Sequence, residues 1–206
     1  MPEIPVYRIE VCIVSYEQAI AAYQGGAARL ELCSRLETEG MTPDAGLLNK
    51  ILEKVNIPVR IMIRETEVGF ESDAAILEKM KSAINQFKSF SMDGFVIGLL
   101  KNNRLDREAM KELIECCLPK LVTVHKAIDH TQDVEDDLQW LNQFENVDTI
   151  LTSGGQRTAW EGIDQILKMK SVFERDIMAA GKITHDQLPA LHKALGLKWY
   201  HGRNIL

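Results

Sequence analysis

Residues 8–33 read RIEVCIVSYEQAIAAYQGGAARLELC, and this segment sets the interpretation of the whole chain. It begins and ends in short apolar runs, Arg8–Ile13 and Arg29–Cys33, with the length and composition of β-strands. Between them, Ser15 and Gln18 form a capping-box pattern at the start of a helix, and a Gly-Gly pair closes it. The segment therefore predicts a strand–helix–strand unit.

The same alternation continues along the chain. Consecutive apolar runs start roughly 20 to 35 residues apart, the length of one strand, one helix and two short loops. The segments between them carry one apolar face each, as in Ile76, Met80 and Ile84, and Thr42-Pro43 has the pattern of a helix cap followed by the first helical residue. The six further predicted strands are Val59–Arg64, Gly94–Gly98, Leu121–Lys126, Thr149–Thr152, Asp176–Ala180 and Lys198–His201.

Eight strands and seven helices predict an α/β protein: a (β/α)8 TIM-type barrel whose eighth helix is missing or truncated, in a single domain of residues 1–206. The alternative is an open, doubly wound sheet, which uses the same alternation. Two observations favour the barrel. The first turn after a strand, Ile13-Val14-Ser15, has no glycine fingerprint for a dinucleotide, and polar residues end nearly every strand.

The composition narrows the class of function. The 206 residues carry 24 Lys+Arg against 30 Asp+Glu, a net charge of −6, and no basic run that would indicate nucleic-acid binding. No apolar run reaches the roughly 18 residues of a membrane-spanning helix, and the first residues lack a signal-peptide pattern. Four cysteines are too few for a disulfide framework. We therefore expect a cytoplasmic protein with reduced cysteines that binds neither nucleic acid nor membranes.

Two Glu-x-Cys pairs stand on adjacent predicted strands, Glu10 with Cys12 and Glu31 with Cys33. Residues two apart in a strand share a face, and glutamates are seldom buried against helices, so both pairs are expected to face the barrel lumen. Two thiolates on neighbouring strands are suited to a soft ion such as Cu(I). The alternative is that Cys12 and Cys33 are small buried apolar residues.

Titratable groups also end the third and fifth strands. In a barrel, Arg64, His125 and Asp129 would lie at the same mouth as Glu10 and Glu31. Such a set suits acid–base catalysis, with Glu10, Glu31, His125 and Asp129 as the proton-transferring candidates and Arg64 as anchor for a small anionic substrate. The alternative is a salt-bridge network that fills the polar end of the barrel.

Two loops follow the sixth and seventh strands, where barrels of this type often bind phosphate. The first contains Ser153, Gly154 and Gly155, and the second contains Gly181 and Lys182. Backbone N–H groups there, together with a following helix, would favour an anion. The sequence thus predicts a small anionic ligand, and phosphorylated metabolites belong to that class.

Several segments in order resemble the CutC family of copper homeostasis proteins. They are IEVC at 9–12, GAARLELCS at 26–34, EGMTP at 39–43, MIR at 62–64, TVHKAID at 123–129, ILTSG at 150–154 and IMAAGKIT at 177–184. The resemblance runs from about residue 8 to residue 202. It implies a TIM-type barrel, a homodimer and cytoplasmic copper handling, with Cys12 and Cys33 matching the family's proposed Cu(I) ligands.

The chain departs from the family pattern around the barrel mouth. Three departures are Glu65-Thr66-Glu67 after Arg64, Lys126 in place of an arginine, and Trp199 in place of a glutamate. In addition, Ala179, Ala180 and Lys182 stand where the family's glycine-rich segment would be. An arginine and a lysine are not equivalent at a bidentate site. These changes leave a third hypothesis open, a non-catalytic scaffold whose chief property is dimerisation. An uncovered strand in place of the eighth helix would also favour a homodimer.

Overall fold

The computed structural model describes residues 7–206, and eight parallel strands within them close into a barrel. The barrel strands are β1 (Arg8–Ile13), β2 (Arg29–Leu32), β3 (Val59–Met62), β4 (Gly94–Ile97), β7 (Leu121–Val124), β8 (Val147–Thr152), β9 (Asp176–Ala179) and β10 (Trp199–Gly202). Their order around the barrel follows the sequence, and β10 closes it by pairing with β1. The predicted barrel is confirmed, and the open sheet is wrong.

Seven α-helices occur in the described part of the chain, as predicted. They are α1 (Tyr16–Gln24), α2 (Ala45–Leu52), α3 (Ala74–Phe87), α4 (Arg107–Cys117), α5 (Val134–Leu141), α6 (Ile163–Val172) and α7 (Leu188–Leu195). Ser15 caps α1 by accepting from the backbone N–H of Gln18, whose side chain accepts from Val14 N–H at 2.9 Å. The expected cap of α2 is wrong by two residues, because Asp44 rather than Thr42 accepts from the backbone of Leu47. None of the described helices has the length and apolar character that a membrane crossing needs.

A small hairpin, which is absent from the predicted elements, lies between β4 and α4. Its strands β5 (Leu100–Lys101) and β6 (Arg104–Leu105) are joined by Asn102 and Asn103, which have left-handed backbone angles of φ 53° and 56°. Two such residues in succession form the turn that matches the twist of a two-residue hairpin. The hairpin places residues 100–105 beside the mouth of the barrel.

No helix follows β10 within the described residues. Residues 203–206 instead return along the barrel, and Ile205 is fully buried there. On the outer side of β1 and β10, Val11, Ile13 and Tyr200 are also buried. The uncovered apolar strand expected from the missing helix is therefore not observed. The homodimer remains a prediction.

The core has two parts. The larger one fills the space between strands and helices, and Leu, Ile and Val side chains make up most of it. The lumen is different, since only two small apolar clusters occur in it, one around Cys12, Cys33, Met62 and Val96 and the other around Met178 and Trp199. Buried charged and polar side chains occupy the rest, namely Glu10, Arg29, Glu31, Arg60, Arg64, Thr123, His125 and Thr149. This polar lumen positions the candidate site.

Candidate functional site

Closure of the barrel brings Glu10 of β1 opposite His201 of β10. His201 Nδ1 lies 2.9 Å from Glu10 Oε1, and Arg29 Nε donates to the other oxygen. Burial alone would raise the pKa of Glu10, but the Arg29 charge and the His201 hydrogen bond outweigh it and lower that pKa to about 2. Glu10 is therefore an ionised, fully engaged carboxylate.

Glu31 lies on the neighbouring strand and reaches the same histidine. Its Oε2 is 3.6 Å from His201 Nε2, while its buried Oε1 has no hydrogen-bond partner among the described residues. Burial, with the neighbouring Cys12 and Glu10, raises the pKa of Glu31. Burial alone would lower the pKa of His201, but the two carboxylates raise it. The pKa values of this acid and this imidazole are thus both shifted upward.

The thiols of Cys12 and Cys33 meet beside Glu31. Their sulfurs are 3.4 Å apart, and both residues are buried. The hydrogen bond from Cys33, assisted by His201, lowers the pKa of Cys12, whereas the same hydrogen bond together with burial raises the pKa of Cys33. Ligand atoms of Cys12, Glu31 and Cys33 all lie within 4.8 Å of one another, as do those of Glu10, Glu31 and His201. The first group offers two soft donors and the second offers only nitrogen and oxygen donors.

A cavity of about 570 Å³ opens above these residues at the carboxyl ends of the strands. Cys12, Glu31 and His201 lie in its wall, together with Arg64 and His125. Its apolar wall includes Leu36, Met62, Phe70, Leu151 and Ile183, and its other cationic residues are Lys126, Arg157, Lys182 and Arg203. Glu31 and Glu39 are the acids of this lining, so positive groups outnumber negative ones at the mouth.

Arg64 is buried, and its guanidinium bonds mostly to backbone carbonyls. Nη1 donates to Thr38 and, at 3.1 Å, to Gly40, and Nη2 donates to Gly69 at 3.1 Å. Its Nε has no partner among the described residues, and burial lowers the pKa of the side chain. Arg64, the predicted anchor for an anion, thus binds the backbone of two loops at the barrel mouth, one containing Thr38 and Gly40 and the other containing Gly69. Its Nε–H is left without an acceptor among the described residues.

His125 is buried against Phe70, with ring centroids 5.0 Å apart. Its Nδ1 accepts from the backbone N–H of Ala127 at 3.1 Å, while Nε2 has no partner among the described residues. Burial, reinforced by the nearby Arg64 charge, lowers the pKa of His125 to about 3. A neutral imidazole whose Nδ1 accepts must carry its proton on Nε2.

Asp129 and the loop after β8 lie apart from the cavity wall. The carboxylate of Asp129 accepts from the hydroxyl of Thr152, from Ser153 N–H at 2.9 Å and from Ser153 Oγ at 3.1 Å. Ser153 Oγ also lies 2.7 Å from Gln156 O, so its single hydrogen serves one of these two acceptors at a time, and Gly154 N–H donates to Thr152 Oγ1 at 2.8 Å. Of the residues predicted to bind an anion, Arg64, Gly181 and Lys182 line the cavity, and Ser153, Gly154 and Gly155 do not.

Two central residues, Arg29 and His201, were not predicted as site residues. Arg29 precedes Glu31 by two positions, so the alternation that placed Glu31 in the lumen also places Arg29 there. His201 meets Glu10 only through barrel closure across 191 residues. The alternation was therefore a usable signal for Arg29, and the pairing of the first and last strands was the signal for His201.

Comparisons with known proteins agree with this architecture. The human copper homeostasis protein cutC homolog is 34% identical over 198 residues, which cover 95% of this chain and 72% of that protein. The homolog from Dictyostelium discoideum is 32% identical and covers 94% and 80%. The structure from Streptococcus agalactiae that carries the CutC copper homeostasis name superposes with a TM-score of 0.90 at 24% identity, covering 97% of this chain and all of that one.

More distant barrels share the fold alone. One of them is a Burkholderia cenocepacia protein named as a phosphonomutase, which superposes with a TM-score of 0.66 at 13% identity. The match covers 95% of this chain and 87% of that one. The family model described as CutC family matches residues 7–206, nearly the whole sequence. The chain belongs to the CutC family.

Proposed function

We propose that this member of the copper homeostasis family binds Cu(I) through Cys12 and Cys33, and that it does so in the cytoplasm, where cysteines stay reduced. The observation that carries the proposal is the contact between the two buried thiols, 3.4 Å apart, with one of them in the wall of an open cavity. A cation can therefore reach a preformed pair of sulfur donors from solvent.

The surroundings of the thiols favour a soft, singly charged ion. Thiolate and thioether ligands select Cu(I), and Met62 packs in the same small cluster as both cysteines. Two thiolates and one Cu(I) carry a net charge of −1, and the nearby His201, whose pKa is raised, offsets that charge when its ring is protonated. Glu31 is the nearest oxygen donor, a harder ligand that suits Cu(I) less well.

An anaerobic Cu(I) titration against a competing chelator tests this proposal. We expect the parent protein to take one equivalent of copper, and the Cys12→Ser/Cys33→Ser double variant to lose that binding. Cys116→Ser is the matched control, because Cys116 is a half-buried cysteine on α4, outside the site. A double variant that competes for copper as well as the parent would contradict the proposal.

A second candidate function is catalysis on a small anion, phosphorylated metabolites included. It is favoured by the excess of positive groups around the cavity and by the presence of Glu31 and His125 in its wall. The test is proton exchange with solvent, followed by NMR as deuterium enters small organic acids and phosphate esters in D2O. Exchange that requires the protein and is lost in Glu31→Gln supports this function. The absence of exchange with every compound would count against it.

A further inference from the structure

Three buried side-chain atoms in residues 7–206 have no hydrogen-bond partner, and all three belong to residues that line the one cavity described above. They are Glu31 Oε1, Arg64 Nε and His125 Nε2. A buried polar group without a partner lowers the stability of the fold, so such groups are rare in folded proteins. That all three residues line the same cavity points to a ligand that supplies the missing partners.

The chemistry of two of these atoms is fixed by the contacts of their other atoms. Ala127 N–H donates to His125 Nδ1, so the neutral ring carries its hydrogen on Nε2. The Nη atoms of Arg64 donate to the carbonyls of Thr38, Gly40 and Gly69, which leaves Nε–H as its free donor. Both atoms are therefore N–H donors. Both side chains are at most 3% exposed.

The two donors share one support. The Arg64 guanidinium lies 4.9 Å from the centroid of the Phe70 ring, and the His125 ring lies 5.0 Å from it. Packing against a single aromatic ring, with the backbone contacts above, fixes both side chains before any ligand arrives. Preorganised donors of this kind favour an acceptor that carries negative charge.

The rest of the cavity indicates what else the ligand contains. Lys126, Arg157, Lys182 and Arg203 surround the mouth and attract an anion. Leu36, Met62, Leu151 and Ile183 form apolar wall, and a volume of about 570 Å³ exceeds what a lone inorganic ion fills. The ligand that matches these features is a small organic molecule with an oxyanion at one end and an apolar body.

We propose that this cavity binds a small organic oxyanion, a carboxylate or a phosphate monoester, whose oxygens accept from Arg64 Nε–H and His125 Nε2–H. In this role His125 is a fixed hydrogen-bond donor and not a general base. The inference rests on the anion of the second candidate function but concerns binding alone, so a protein without turnover still satisfies it. It is independent of copper.

The experiment measures binding of benzoate and phenyl phosphate by calorimetry, with sodium chloride matching the ionic strength. We expect at least one probe to bind, and its affinity to fall about tenfold or more in His125→Asn and in Arg64→Lys, the usual effect of losing one hydrogen bond to a charged group. Asparagine keeps a cap acceptor near the position of Nδ1 and removes Nε2–H. The control Lys193→Ala, on the exposed side of α7, should bind like the parent.

A second measurement uses the parent protein and does not depend on a variant that folds. Long-range 1H–15N NMR at pH 7 should show the His125 proton on Nε2. The Nε2 resonance should shift when the probe that binds is added. A proton on Nδ1, the absence of binding by both probes, or equal binding by the parent and both variants would overturn the proposal. The stronger of the two probes identifies the head group as carboxylate or phosphate.

Discussion

Arg60 lies in β3, and Arg64 lies four residues later, just after this strand. Both arginines are almost fully buried, but they differ in the groups that accept their hydrogen bonds. Arg60 sits at the amino end of the barrel between two carboxylates. Its Nε donates to Asp93 at 3.0 Å, and Nη1 and Nη2 donate to the two oxygens of Asp148 at 2.7 and 2.6 Å. Arg64, at the other end, bonds to backbone carbonyls, and no carboxylate within residues 7–206 bonds to it.

The pKa values of the two arginines shift in opposite directions for this reason. Burial by itself would lower the pKa of Arg60, but the ion pair with Asp148 outweighs it and raises that pKa. At Arg64 burial prevails and the pKa is lowered. Loss of one partner of a saturated buried charge leaves the other uncompensated and destabilises the fold, whereas a buried charge with an unused donor retains capacity for a ligand. In a barrel of this type stability residues gather at the amino end and functional residues at the carboxyl end.

The largest expected effect follows from Arg60→Ala. The substitution leaves Asp93 and Asp148 without their shared partner and the hydroxyls of Thr123 and Thr149 without a donor. We expect a loss of about 3 kcal/mol in the free energy of unfolding, the lower end for a broken buried pair because both carboxylates are partly exposed. Urea denaturation measures it. Unchanged stability would show that the ion pairs of Arg60 at the amino end of the barrel do not stabilise the fold.

Asp129→Ala tests whether the carboxyl end also contains purely structural groups. Its removal leaves the backbone N–H of Ser153 without an acceptor, and we expect a cost of about 2 kcal/mol in the free energy of unfolding. Binding of benzoate or phenyl phosphate should persist in the folded variant, because Asp129 does not line the cavity. Lost binding together with unchanged stability would instead assign Asp129 to the site.

His125 contributes a pH dependence of the opposite sign to that of a histidine whose pKa is raised by a stabilising ion pair. Its pKa is about 3 in the folded protein, below the value near 6.5 of an unfolded chain, so the unfolded state takes up the proton first. The stability due to neutral His125 is full above pH 6.5 and falls as the pH decreases. Between pH 7 and 5.5 we expect the stability advantage of the parent over His125→Asn to shrink by about 1 kcal/mol. Equal pH slopes in urea denaturation series would contradict a neutral, buried ring.

The smallest expected effect on stability is that of Arg64→Lys. A lysine keeps the charge and can still donate to the rim carbonyls, so the free energy of unfolding should change by less than about 1 kcal/mol. Urea denaturation of Arg64→Lys and Arg60→Lys, side by side, measures the two changes in the free energy of unfolding. The same substitution at the amino end removes the bidentate pair with Asp148 and should cost more. Equal losses at the two positions would remove the distinction between the ends.

Most of the fold was predictable because each strand–helix unit carries its own signal. Apolar runs of strand length recur at regular intervals, and caps such as Ser15 with Gln18 depend only on neighbouring residues. The short hairpin was missed because strands of two residues show no periodicity, although Asn102-Asn103 is a recognisable turn signal. Asp44 was overlooked as the cap of α2 because Thr42-Pro43 presents a similar pattern two residues earlier.

The candidate site was predictable only where the alternation of residues along a strand determines whether a side chain points into the lumen. It correctly brought Glu10, Cys12, Glu31 and Cys33 together in the lumen. It did not determine hydrogen-bond partners, so Asp129 was expected at the mouth although its oxygens are used by Thr152 and Ser153. Which atoms remain unpartnered depends on loops that fold back onto the rim, and sequence spacing carries no information about those contacts.

The buried indole of Trp199 has a spectroscopic consequence. Its ring centroid lies 4.2 Å from the Arg29 guanidinium, and Arg29 in turn bonds to Glu10 beside His201. Because tryptophan emission responds to nearby charge, any event that changes the charge of this chain of residues should alter the fluorescence of Trp199. Trp140 and Trp160 are the other two tryptophans and lie outside the barrel lumen. A Trp140→Phe/Trp160→Phe variant would therefore report on the interior of the barrel by its own emission, with no added dye.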